Sequence, residues 1–259
     1  MALQGPRSRP QSAPHRGQHF LKSRSLAAEL VTSAGIQSSD LVVEIGAGRG
    51  KITSELMAHA RRVIAIENDA RLAGLLIERF ASDERVMTVA ADALAFPMIA
   101  EEFRVFGNIP FGITTRLLRR LLSDPSASLV RADLIVQSGA AMKRVRRRGN
   151  MLNLVWGPWW KFDIERSIPR TAFDPMPSVN AAMLRIIKRP TPLVPVASHL
   201  HYVDLVEGAF ADGRPLRLAL KPRARRAMSQ NILEDLGDAR SSDLDLRQWI
   251  ALFDAVTRQ

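Results

Sequence analysis

Asn108-Ile109-Pro110-Phe111 brings a side-chain amide, two backbone carbonyls and a flat ring together within four residues. That set suits one kind of chemistry. An exocyclic amine on an aromatic base is a weak nucleophile, because its lone pair is delocalised into the ring. Acceptors placed at its two N–H groups would turn the lone pair out of conjugation and toward an electrophilic methyl. The amide oxygen of Asn108 and a carbonyl of Ile109 or Pro110 are such acceptors, and Phe111 would stack on the base and fix its plane. Alone, a tetrapeptide of this kind reads as a turn with a buried aromatic, so its meaning depends on what precedes it.

Upstream, the apolar run from Leu41 to Ile45 ends in Gly46-Ala47-Gly48-Arg49-Gly50, and Glu67 and Asp92 close two further apolar runs. In an open parallel sheet ligands sit outside the carboxyl ends of the strands, and all of these residues fall at such ends. Gly46 and Gly48 admit backbone close to a ligand, Glu67 can accept both hydrogen bonds of a ribose diol, and Asp92 can take one from an adenine amine. A nicotinamide dinucleotide is the rival ligand. Its fingerprint is G-x-G-x-x-G, whereas this chain has G-x-G-x-G with Lys51 where the third glycine belongs. Gly50-Lys51-Ile52 is not a phosphate-binding P-loop either, because the Ser or Thr that would hold magnesium is missing. S-adenosylmethionine has no pyrophosphate and needs neither device.

The elements that must position these residues follow from periodicity. The spacing predicts a helix over 23–34, stopping at Gly35, and then strands over 41–45, 62–66, 86–90, 104–107, 133–137, 162–168 and 181–187. Helices are predicted between them over 52–60, 70–81, 114–122 and 139–147. Alternation of this kind argues for an α/β, doubly wound domain with a mostly parallel seven-stranded sheet. Near Lys188 the pattern breaks into Pro190-Thr191-Pro192-Leu193-Val194-Pro195, after which only helical periodicity remains, over 201–210, 224–236 and 244–256. The expected organisation is therefore a flexible basic arm over 1–17, a catalytic domain over 18–188, and a linker with a small all-α domain over 189–259.

Composition narrows the partners. Lys and Arg number 37 against 26 Asp and Glu, so the net charge is +11 and a polyanion is the expected partner. There is no cysteine, which excludes disulfides, thiolate zinc sites and cysteine nucleophiles and suits a cytoplasmic location. His199-Leu200-His201 has no carboxylate cluster nearby, so no metal is expected. No apolar run approaches the ~20 residues that a bilayer requires, and no membrane association is expected. Trp156, Trp159 and Trp160 read as core in preference to base-stacking surfaces.

Taken in order, the motifs resemble those of the rRNA adenine N6-methyltransferases, the superfamily of the Erm enzymes of 23S rRNA and the KsgA-type enzymes of 16S rRNA. The resemblance rests on Gln18-His19-Phe20-Leu21, Glu44-Ile45-Gly46-Ala47-Gly48-Arg49-Gly50, Glu67-Asn68-Asp69, Asp92-Ala93, Asn108-Ile109-Pro110-Phe111 and Phe173-Asp174-Pro175-Met176-Pro177-Ser178-Val179. It spans about residues 17 to 188. It implies a Rossmann-like class I methyltransferase fold and S-adenosylmethionine as cofactor. It also implies a cofactor site of Gln18, His19, Leu21, Gly46, Gly48, Glu67, Asn68, Asp92, Ala93 and Asn108, with Phe111 and Phe173 sandwiching the target adenine. Phe111 stands where many members have tyrosine, a change that keeps stacking, and His19 stands in place of the more frequent asparagine. Asn-Ile-Pro in place of Asn-Leu-Pro, and Trp156-Gly157-Pro158-Trp159-Trp160, are more similar to Erm sequences. This implies 23S rRNA as partner and resistance to macrolides, lincosamides and streptogramin B. The 16S enzyme and a non-catalytic RNA-binding or assembly factor are the alternatives, and a monomer is expected.

Two basic clusters and the basic arm exceed what solvated helix faces need. Lys143, Arg144, Arg146, Arg147 and Arg148 form one, and Arg214, Arg217, Lys221, Arg223, Arg225 and Arg226 the other, while Arg7, Arg9 and Arg16 lie in the arm. All are expected to meet RNA phosphates.

Overall fold

The computed structural model describes residues 18–146, 148–220 and 237–257. Its centre is a seven-stranded sheet in the order β4-β3-β2-β5-β6-β9-β7. The strands are β2 (Leu41–Ile45), β3 (Arg62–Glu67), β4 (Val86–Ala90), β5 (Phe103–Asn108), β6 (Leu129–Gln137), β7 (Trp160–Ile168) and β9 (Ala181–Lys188). From β4 to β6 neighbours run parallel, and β9 is antiparallel to both β6 and β7. Because β2 pairs β3 on one side and β5 on the other, the strand order reverses there, and the crevice of the fold opens at the carboxyl ends of those two strands.

Local chemistry accounts for the connecting helices. Helix α1 (Arg24–Ala34) begins where the Ser23 hydroxyl accepts the Leu26 N–H at 3.1 Å and ends at Gly35. Helix α2 (Lys51–Leu56) follows the glycine turn directly. In α3 (Ala70–Phe80) the cap is Asp69, whose carboxylate accepts from Arg71 and Leu72, and Leu72, Ala73, Leu76 and Phe80 form its buried stripe. Helices α4 (Thr114–Leu122) and α5 (Ser138–Val145) complete the crossovers. Both faces of β2 are covered: Leu41, Val43 and Ile45 join one apolar cluster and Val42 another.

Three features differ from the sequence-based expectation. A short helix α6 (Met151–Trp156), capped by the Asn150 side chain, stands where none was predicted, since Gly157-Pro158 beside it reads as a breaker. Strand β6 starts four residues before the expected Asp133, because Arg131 and Asp133 neutralise each other within the strand. A two-residue ribbon pairs β1 (Phe20–Leu21) antiparallel with β8 (Phe173–Asp174), segments too short to show any periodicity.

Trp156, Trp159 and Trp160 are core. Trp159 donates to the Val194 carbonyl at 2.9 Å and meets the Tyr202 ring edge-on at 5.7 Å. Through Tyr202, Val206 and Trp249 the same apolar cluster continues from the sheet into α7 (His199–Asp212) and α9 (Leu246–Thr257), with the short α8 (Leu216–Ala219) between them. The predicted helix over 224–236 lies almost wholly outside the described residues.

Halfway along β6, Asp133, 1% exposed, gathers arginines. Arg131 Nε lies 2.6 Å from its carboxylate, Arg185 Nε 3.2 Å and Arg104 Nη2 3.7 Å. Arg104 and Arg185 also donate to the last carbonyls of α1, at Ala34, Gly35 and Ser33, which pins that helix to the sheet. Removing the carboxylate leaves Arg131 without an ion-pair partner among the described residues and takes one of two from Arg104 and Arg185, which keep Asp40 and Glu165. Asp133→Asn is expected to lower stability by about 3 kcal/mol in urea denaturation.

Candidate active site

The carboxyl ends of β2, β3, β4 and β5 surround a cavity of about 250 Å³. Its wall includes Gln18, His19, Gly46, Glu67, Asn68, Asp92, Ala93, Asn108, Ile109, Pro110 and Phe111, so most of the residues singled out from the sequence meet there. Phe20, Ile45, Ile66, Ala91, Leu94, Ile113 and Arg116 complete it. The apolar members of this second set carry no chemical signature that sequence reasoning could have used.

Glu67 is 3% exposed, and both of its oxygens are held by backbone: Oε2 accepts the Gly48 N–H and Oε1 the Asp69 N–H, each at 2.8 Å. Each oxygen keeps a second lone pair for a hydroxyl donor, the arrangement a ribose diol requires. Asp92 caps the turn after β4 through Oδ1, which accepts the Leu94 N–H at 2.9 Å. Gly46 has φ +74°, and a Cβ there would come within 3.0 Å of the Asn108 carbonyl oxygen, so the turn is narrow enough to serve as a backbone cradle. These residues fit an adenosyl cofactor.

Asn108 is oriented by a backbone acceptor. Its Nδ2 donates to the His19 carbonyl at 2.6 Å, and since a carbonyl only accepts, the amide nitrogen must face it. Oδ1 is thereby left as the acceptor, with no donor to it among the described residues. Of the two neighbouring carbonyls, that of Pro110 already accepts the Ile113 N–H at 3.1 Å, while that of Ile109 accepts nothing among the described residues. Phe111, half-buried, lies with its ring 5.7 Å from that of His19. His19 Nδ1 donates to the Pro175 carbonyl at 2.7 Å, which in the neutral ring leaves Nε2 as an acceptor.

Three expected site residues stand elsewhere. Phe173 is 1% exposed and packs in the core with Leu21, its partner in the β1–β8 ribbon, so it presents no face to a base. Leu21, 4% exposed, borders an adjoining cavity of about 200 Å³ whose wall also includes Lys22, Arg49 and Lys51. Gly48 lines neither cavity and acts through Glu67.

The basic clusters are used unequally. Lys143, Arg146 and Arg148 are exposed. Arg144 is buried, with its guanidinium 5.7 Å from the Trp156 ring, so it is not part of a solvated face. Arg214 pairs with Asp212 at 2.6 Å and Arg217 with Asp238 at 3.0 Å, acids that lie outside the basic stretch in sequence. Arg7, Arg9, Arg16, Arg147, Lys221, Arg223, Arg225 and Arg226 lie outside the described residues. Among the described residues no group of three or more His, Asp or Glu is placed to hold a metal ion, and no helix is long and apolar enough to cross a membrane.

Comparison with known proteins agrees with this geometry. Residues 11–257 match the family described as ribosomal RNA adenine dimethylase. An rRNA adenine N-6-methyltransferase of Bacillus licheniformis is 31% identical over 97% of this chain and 89% of its own length. A ribosomal RNA small subunit methyltransferase A of Acaryochloris marina is 33% identical over 95% of this chain and 98% of its own. Among solved structures, that of the 23S rRNA methyltransferase ErmE superposes with a TM-score of 0.78 at 28% identity, over 92% of this chain and 100% of that one.

Beneath the glycine turn, Glu44 is fully buried, and neither of its oxygens makes a hydrogen bond of good geometry. Burial, offset in part by Thr53 and reinforced by the charge of Glu67, raises its carboxyl from 4.5 to about 8. Between those values the native state holds a proton that the unfolded chain releases, so stability falls as pH rises through the window and levels off above it. Relative to Glu44→Gln, the native protein is expected to lose about 2–4 kcal/mol between pH 4.5 and pH 8, measured by urea melts at several pH values.

Proposed function

The chain belongs to the ribosomal RNA adenine dimethylase family, and from that premise we propose that it transfers one or two methyl groups to N6 of one adenine in 23S rRNA. On this reading it confers resistance to macrolides, lincosamides and streptogramin B. The family activity is rRNA adenine N6-methylation, and its methyl donor is S-adenosylmethionine.

One observation carries the reading of the site: Asn108 Oδ1 and the Ile109 carbonyl accept nothing among the described residues, and both residues line the cavity that Phe111, Glu67 and Asp92 also line. When bound, S-adenosylmethionine supplies an electrophilic methyl on a sulfonium. Glu67 would hold the ribose hydroxyls and Asp92 the adenine amine of that donor, with Gly46 giving the backbone room. Asn108 Oδ1 and the Ile109 carbonyl would accept the two N–H groups of the target amine, which turns its lone pair out of the base and toward the methyl. Phe111 would stack on the target base, which must be unpaired to enter. With Phe173 buried, stacking falls to Phe111 on one face only.

Asn-Ile-Pro and the Trp156–Trp160 motif support 23S over 16S rRNA, as does the likeness to ErmE along its whole length. The 33% identity to a small subunit methyltransferase favours the 16S reading as the second. A non-catalytic factor would have no use for an oriented Asn108 beside Glu67 and Asp92. The helices beyond Lys188, with the exposed Lys143, Arg146 and Arg148, would meet folded RNA, the protein acting as a monomer in the cytoplasm.

Incubation with labelled S-adenosylmethionine and protein-free 23S and 16S rRNA, followed by primer extension, is expected to place label at a single 23S adenine. Label on 16S alone would replace this reading with the second. Asn108→Ala is expected to reduce transfer by about 100-fold or more while RNA affinity stays nearly intact. Equal loss of both would remove the role assigned to the amide.

A further inference from the structure

Arg116 is the one Lys or Arg among the described residues that line the cavity, and the fold makes no use of it. It is exposed, with no hydrogen bond or ion pair to any described residue. The other arginines of α4 differ. Arg119 and Arg120 occupy the last turn, where a cation suits the helix dipole, and Arg120 also donates to the Phe96 carbonyl. Arg116 occupies the first turn, where the same dipole disfavours a cation and no acidic residue offsets it. A charge that costs stability, placed in the wall of the cavity, points to a ligand of opposite sign.

Arg116 also heads a row. Arg119 lies three residues further along α4, on the same side of the helix. Arg144 of α5 differs from both: it is 9% exposed, its guanidinium lies against Trp156, and its Nη1 has no hydrogen-bond partner among the described residues. Burial first, and then the charge of Arg119, lowers the pKa of Arg144. None of the three pairs with a carboxylate among the described residues. Arg116 and Arg119, exposed on one side of α4 without an acid, repel one another, and anions laid beside them remove that cost.

We propose that Arg116 is a positioning residue that holds a backbone phosphate of the nucleotide whose base enters the cavity, with the exposed Arg119 receiving the phosphate that follows it. The inference rests on the RNA-methylating reading above. A base stacked on Phe111 leaves its sugar and phosphate outside the cavity, where Arg116 is exposed, and the planar guanidinium fork matches a phosphate by two parallel hydrogen bonds. Such a contact carries no base information. It fixes register, and it offsets part of the cost of holding the base unstacked.

The test compares Arg116→Gln and Arg116→Lys with the native protein, using a single-stranded RNA oligonucleotide of rRNA sequence containing the target adenine. RNA affinity against salt, kcat/KM for methylation and S-adenosylmethionine affinity are measured for each. Arg116→Gln is expected to lower kcat/KM about tenfold and to reduce the salt slope of RNA binding by about 0.7, the loss of one phosphate contact on a single strand. Arg116→Lys is expected to restore the slope but only part of the rate, and cofactor affinity is expected to stay unchanged in both. An unchanged slope in Arg116→Gln would overturn the proposal, as would loss of S-adenosylmethionine affinity in its place, which would assign Arg116 to the cofactor. If the native protein methylates neither rRNA, the functional reading fails, while the slope comparison still decides whether Arg116 meets a phosphate.

Discussion

The close parallel approach of β2 and β5 at their carboxyl ends is the constraint on which the site depends. Ile45 stands in register with Gly107, and a Cβ at Gly107 would come within 2.6 Å of the Ile45 carbonyl oxygen. One residue further along, a Cβ at Gly46 would come within 3.0 Å of the Asn108 carbonyl oxygen. A side chain on either would force the strand ends apart, and with them the glycine turn and the Asn108 amide. The donor-binding turn and the acceptor-binding loop are thus neighbours because the sheet reverses its order between these strands and because one residue of each facing pair, Gly107 opposite Ile45 and Gly46 opposite Asn108, is glycine.

A second level of organisation ties the N-terminal segment across this crossing. Asn108 Nδ2 binds the His19 carbonyl, His19 Nδ1 binds the Pro175 carbonyl, and Lys51 Nζ donates to the carbonyls of Leu21 and Lys22 at 2.7 Å each. The β1–β8 ribbon anchors the same segment from behind, with Leu21 and Phe173 as its buried side chains. One amide therefore closes the cavity wall with its nitrogen and presents its oxygen inward. Charge is arranged around the same cavity: Glu67 is a buried carboxylate of its wall, and Asp92 and Arg116 are an exposed carboxylate and an exposed cation of it.

Much of this was legible in the chain. Apolar runs ending in Gly46, Glu67, Asp92 and Asn108 are local signals, and the rule that places ligands at the carboxyl ends of parallel strands brings those residues together without knowledge of any distant contact. Capping residues such as Ser23 and Asp69 mark helix starts for the same reason. Less legible were the residues whose chemistry permits two fates. Phe173 is as able to stack on a base as to fill a core, and Arg144 as able to face solvent as to lie against Trp156. The acids that occupy Arg214 and Arg217 sit just outside the basic run, one of them 21 residues from its partner.

The amino-acid sequence by itself determined the order of strands and helices, the residue types at the strand ends, the cationic balance and hence the class of chemistry. These follow from periodicity, capping and composition, which act over a few residues. Tertiary structure alone decided that Asn108 keeps its oxygen free, that the Ile109 carbonyl and not that of Pro110 is available, that Phe173 and Arg144 are buried, and that Arg116 joins the cavity wall. Each of these depends on which remote groups compete for the same lone pair, proton or volume, and that competition exists only once the sheet has brought them within hydrogen-bonding or van der Waals distance.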